Sequence, residues 1–159
     1  MDTGSMSLFY ASCDSVHREF FSALLYDWQD SGQVAEAAAE DNDMQIEAGA
    51  MQLRVRSVGR SDQNEDGSIM MPCLFVLHAG GGAERARITI NLKRWREWFG
   101  PEIRDEYVNE LNGIQGLQCR ARGDEFAILE PAHLSGPTQQ RLRDLIVDFG
   151  RNSRETLGY

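Results

Sequence analysis

The stretch "ARITINLKRWREWFG", residues 86 to 100, decides the fold. Its first half alternates. Ile88, Ile90 and Leu92 are apolar and Arg87, Thr89 and Asn91 are polar, the period-two pattern of a strand with one wet face. Its second half places Trp95, Trp98 and Phe99 at i, i+3 and i+4, one stripe of a helix, while Lys93, Arg94 and Arg96 largely point elsewhere. The residues therefore predict a strand running into a helix whose aromatic stripe is core or a subunit interface. A nucleic-acid grip would need rings and guanidiniums offered together on an exposed strand face or loop. The formal charge of -9 also opposes it, and no nucleic-acid partner is expected.

Working outward, "MQLRVRSV" (51–58) puts Met51, Leu53, Val55 and Val58 mostly at alternate positions opposite Gln52, Arg54 and Arg56, again a strand with one wet face. "IMMPCLFVLHA" (69–79) reads as the next strand, with Pro72 at its start or on an edge because proline cannot donate to the ladder. With residues 86–92 these make a three-stranded antiparallel meander. "LQCRARGDEFAILE" (117–130) reads as two short strands joined at Gly123-Asp124. Helices flank them. "DSVHREFFSALLYDWQ" carries Val16, Phe20, Leu24 and Trp28 at fourfold spacing, with Ser12 and Asp14 as candidate N-caps. Residues 93–112 are helical with a break at Gly100-Pro101 and a stop at Gly113, and the closing helix aligns Leu142, Leu145, Ile146 and Phe149.

The order α-β-β-β-α-β-β-α defines an α+β fold: a single domain over residues 14–159, an antiparallel sheet of about five strands with helices packed on it. Residues 1–13 are expected to be a disordered or tag-like N-terminus, with Met6 a candidate natural start. "QVAEAAAEDND" (33–43) is expected to be either a short exposed helix or a linker.

A chain of 159 residues is one domain's worth, and 42% hydrophobic with 26% charged residues suits a packed globular protein. Cys13, Cys73 and Cys119 are odd in number and make no CxxC pair, so they read as reduced thiols in a cytoplasmic protein. The longest apolar run, "IMMPCLFVL", is about half a membrane span and is interrupted by Pro72, and the opening residues lack the basic region of a secretion signal; no membrane partner is expected. The charge is uneven. Residues 1–50 hold ten acids against the single base Arg18, and residues 51–159 hold fifteen of each sign. Such a face steers basic partners toward it, or only keeps the protein soluble.

Motifs for chemistry are sparse. Asp62, Asn64, Asp66, Gly67 and Ile69 match positions of a calcium loop, but Cys73 stands where the bidentate Glu belongs, so a polar hairpin turn is preferred. "LFVLHAGGG" has the look of an oxyanion loop, yet there is no GxSxG elbow, and the glycines suit a hairpin tip with His78 at a strand end. His17, His78 and His133 are not spaced as a metal trio, and His17 is expected at the surface. A restriction-nuclease core would need Asp/Glu-x-Lys where the chain has Asn91-x-Lys93. No catalytic residue, cofactor or metal ligand is therefore assigned, and a non-enzymatic role is expected.

The element order, the pI near 4.8 and the closing "LQCRARGDEFAILEPAHLSGPTQQRLRDLIVDFG" together resemble the type III secretion chaperone fold and its YbjN-like relatives. The resemblance covers most of the chain as layout and residues 117–149 as sequence. The insertion at 33–50 and the Trp-rich "KRWREWFG" depart from that family. The resemblance implies a homodimer that holds an extended segment of another, possibly basic, protein along its sheet and helix faces. Phe20, Leu24, Trp28, Val55, Phe75, Trp95 and Trp98 are the candidate partner-binding residues, each equally able to serve as plain core. Two alternatives stay open: an immunity or inhibitor protein whose N-terminal carboxylates occlude a basic enzyme, and an enzyme without a recognisable motif.

Overall fold

The computed structural model describes residues 3–31, 44–49, 51–57, 62–63, 69–70, 73–81 and 84–157. In chain order the elements are α1 (Thr3–Ser12), α2 (Ser15–Ser31), β1 (Met44–Ala48), β2 (Gln52–Ser57), β3 (Asp62–Gln63), β4 (Ile69–Met70), β5 (Cys73–His78), β6 (Arg87–Asn91), α3 (Leu92–Phe99), α4 (Pro101–Asn112), β7 (Gln118–Arg122), β8 (Glu125–Leu129) and α5 (Gly136–Leu157). A 3-10 turn at Pro131–His133 precedes α5. Six strands form one antiparallel sheet in the order β1-β2-β5-β6-β8-β7, and β3 and β4 form a separate two-stranded ribbon. This is the α+β architecture that the alternating and helical periods predict.

The helices pack on one face of the sheet. Cross-strand partners share a face, so the register Leu53–Leu77–Ile88–Ile128–Cys119 defines one row facing the helices. Leu53, Leu77, Ile88 and Ile128 are fully buried there, with Val55, Phe75, Ile90 and Phe126 in the same cluster. Onto them α2 lays Phe20, Phe21, Leu24, Leu25 and Trp28; the Trp28 and Phe75 rings meet edge to face at 5.0 Å. A void of about 10 Å³ between Phe75, Ile88, Trp95, Tyr107 and Leu145 is no larger than one water. Burying each such side chain contributes about 1.5–3 kcal/mol, which is why the stripe positions set the fold.

The opening stretch is resolved at Trp95. It is 3% exposed and its indole N–H donates to the Leu74 carbonyl at 2.6 Å, so this ring is a strut between α3 and β5 and no stacking platform. The side chains of Trp98 and Phe99 lie outside the described residues. The helix breaks at Gly100, whose φ of 89° is open to glycine, and restarts with Pro101 at its first position.

Three expectations are corrected. Residues 3–12 form a helix, not a disordered or tag-like leader: Phe9 is fully buried against Phe21, with ring centroids 5.9 Å apart. A sixth strand, β1, pairs with β2 inside the segment treated as an insertion, because Met44, Ile46 and Ala48 register with Ser57, Val55 and Leu53. His17 is 1% exposed rather than on the surface. The Asp62–Gln63 and Ile69–Met70 pairing makes a hairpin, and the rest of the calcium-like loop, Asn64 to Ser68, lies outside the described residues, as does the 33–43 segment.

Candidate functional site

The strands that bury leucine and isoleucine on one side carry arginine on the other. One residue along from the core row runs the row Arg54–Val76–Thr89–Ala127–Arg120, and beside it Gln52–His78–Arg87–Leu129–Gln118. Small side chains occupy the middle of the first row between Arg54 and Arg120, and β1 extends it to Glu47, the cross-strand partner of Arg54. Arg122, two residues beyond Arg120 on the edge strand, joins Arg54, Arg87 and Arg120 as a fourth guanidinium on this side.

At the β6-β8-β7 end of this face lies an open hollow of about 420 Å³ lined by Glu84, Arg85, Arg87, Arg120, Arg122 and Leu129. Arg87 is paired with Glu84 at 3.3 Å, and it also donates to the Arg85 carbonyl at 3.2 Å. Arg85 lies 3.8 Å from the Glu130 carboxylate and donates to Gln118 Oε1 at 3.4 Å. Glu130 holds its place in a left-handed backbone conformation, φ 46°, while its N–H donates to the Ala86 carbonyl. A second hollow, of about 260 Å³, lies beside Arg54 and is lined by Ala48, Gly49, Gln52 and Arg54.

His78 sits among these bases as a neutral group. Burial, then the fields of Arg87 and Arg54, push its pKa down to about 4, and its Nε2 lies 2.9 Å from Thr89 Oγ1. It therefore adds no charge to the face near neutral pH.

A second polar cluster lies at the start of α2. The Asp14 carboxylate caps the helix by accepting the His17 N–H at 2.9 Å. It also accepts from His17 Nδ1 at 2.9 Å, and the Ala132 N–H donates to His17 Nε2 at 3.3 Å. Both ring nitrogens are thus engaged, which fixes the tautomer and ties α2 to the 3-10 turn. The His133 ring lies 5.2 Å from that of His17, tilted by 53°, but among the described residues no three His, Cys, Asp or Glu side chains converge as metal ligands. Burial first, and then Asp14, push the Cys13 thiol up to about 11, and burial does the same to Cys119, so neither is a ready thiolate.

Six of the seven candidate binding residues, Phe20, Leu24, Trp28, Val55, Phe75 and Trp95, are at most 3% exposed. They are brought together as core, and a partner cannot touch them while the domain is closed. The side chain of Trp98 lies outside the described residues. Two of the N-terminal acids are engaged internally: Asp14 by His17, and Asp27 by Arg143 at 3.4 Å. The residues missed from sequence are Arg54, Arg85, Arg87, Arg120 and Arg122. For all but Arg85, which lies in the loop before β6, the signal was present in the wet positions of "LRVRS", "RITIN" and "QCRAR", each of which places arginine opposite an apolar neighbour.

Compared with known proteins, the chain matches no family model, no curated protein and no solved structure. Among the described residues no helix is long and apolar enough to cross a membrane.

Proposed function

We propose that this protein is a non-enzymatic binding module that holds an extended segment of a partner protein on the open face of its sheet, in the manner of a secretion chaperone. The open face supports this. It offers the half-buried Val76 and Leu129, with the buried Thr89 and Ala127 beneath, between hollows that each carry arginine. The charge of that face makes the complementary segment acidic, in place of the basic partner that the net charge of -9 suggests. A homodimer in a reducing, cytoplasmic setting belongs to the same reading, and three cysteines that form no disulfide are compatible with it. Light scattering then returns twice the 17.9 kDa chain mass.

The deciding experiment is fluorescence anisotropy of a labelled, extended acidic peptide against wild type and the double reversal Arg54→Glu/Arg120→Glu. The expected result is binding that weakens with salt and is lost in the variant, with circular dichroism unchanged because both side chains are exposed. Undiminished binding by the reversed variant would rule out the open face.

A further inference from the structure

We propose that the hollow between Arg85, Arg87, Arg120 and Arg122 is a phosphate site: it takes the phosphomonoester of a phosphorylated side chain on the segment held across the sheet. This rests on the binding role above and names the chemistry that one end of the face selects.

Charge makes the first argument. Four guanidiniums line the hollow, and two carboxylates answer them, Glu84 at Arg87 and Glu130 at Arg85. Among the described residues, no carboxylate lies within ion-pair distance of Arg120 or Arg122. Glu125, the cross-strand neighbour of Arg122, forms no ion pair with it and does not line the hollow. The residual charge of two matches a phosphomonoester, which carries about -1.5 to -2 near pH 7, and exceeds what one carboxylate or one phosphodiester can neutralise. The neutral state of His78 leaves that account unchanged.

Geometry makes the second. Arg120 and Arg122 stand two apart on one strand, so their planar forks point to the same side and can each offer paired N–H donors to a tetrahedral oxyanion. Guarding an exposed sheet edge would need charge on β7 alone. Here Arg87 comes from the interior strand β6 and Arg85 from the loop before it, so three separate segments converge. Leu129 of β8 also lines the hollow, which at about 420 Å³ has more room than a bare phosphate needs, and this suits an anion attached to a chain lying on the face.

The test uses the full chain and three versions of one extended acidic peptide bearing Ser, Glu or phosphoserine at a central position, with free O-phosphoserine as a fourth probe. Affinities are measured by isothermal titration calorimetry at near-physiological salt. The expected result is phosphoserine peptide binding about tenfold tighter than the Glu version. Free O-phosphoserine binds more weakly than the phosphopeptide. In Arg120→Ala/Arg122→Ala the three peptides become equal while their residual binding and the fold persist. Equal affinity for all three peptides in wild type overturns the phosphate site and leaves the peptide-holding role standing. Absence of binding by any peptide removes both. Free O-phosphoserine binding as tightly as the phosphopeptide overturns the assignment of the phosphate to a held segment.

Discussion

Adjacent rows of one sheet carry opposite chemistry. Leu53, Leu77, Ile88, Ile128 and Cys119 cross it on the helix side; one residue on, Arg54, Val76, Thr89, Ala127 and Arg120 cross it on the other. The first row is clamped between strands and helices, so its volume and apolarity are fixed by packing. The second row has no such duty at Arg54 and Arg120, which are exposed, and their type is free to serve recognition. Substitutions on the two rows should therefore separate stability from binding.

The largest effect is expected on the helix side. Leu77→Ala removes a fully buried side chain and is expected to cost about 2–5 kcal/mol by urea denaturation, while the molecules still folded bind peptide normally. A loss below about 1 kcal/mol would mean that the row is not the core it is drawn to be.

Next comes the hairpin that sets the two rows in register. Gly80 adopts φ 83°, and a Cβ there would lie 2.6 Å from the Ala86 nitrogen, so Gly80→Ala has neither the conformation nor the space. A cost of about 1–3 kcal/mol is expected, with weaker peptide binding because Arg85 and Arg87 follow this turn. Unchanged melting and affinity would show that the turn does not position the arginines.

The smallest effect belongs to His78 on the open side. Its folded pKa of about 4 lies below the ordinary 6.5, so between those values the unfolded chain binds a proton that the folded chain does not. Stability from this group is fully present above pH 6.5 and is lost as pH falls toward 4. Thermal melts of wild type and His78→Gln across that window should converge at low pH. Parallel curves would place the titration elsewhere.

Much of this comparison was legible before any coordinates. Alternation in "ARITIN" and "MQLRV" told inside from outside on each strand, and fourfold spacing in α2, with Asp14 ahead of it, marked a capped helix. What one strand cannot tell is which strands it lies beside. Arg87 and Arg120 are 33 positions apart, and only the β6-β8-β7 order brings them to one hollow. The N-terminal helix was invisible for a different reason: Gly4 and its serines are weak helix formers, and its main anchor, Phe9, gains meaning only against Phe21. The bulk charge misled because it averages an acidic N-terminal third with an arginine-bearing sheet face.

One measurement bears most directly on that face. Titrating an extended acidic peptide into isotopically labelled protein, and following backbone amide and arginine Nε–H resonances, maps where it lands. Shifts gathered on β2, β5, β6, β8 and β7 and on the guanidiniums of Arg54, Arg87, Arg120 and Arg122, with α2 and α5 quiet, are predicted. Shifts confined to the helices, with the arginine resonances unmoved, would contradict the account.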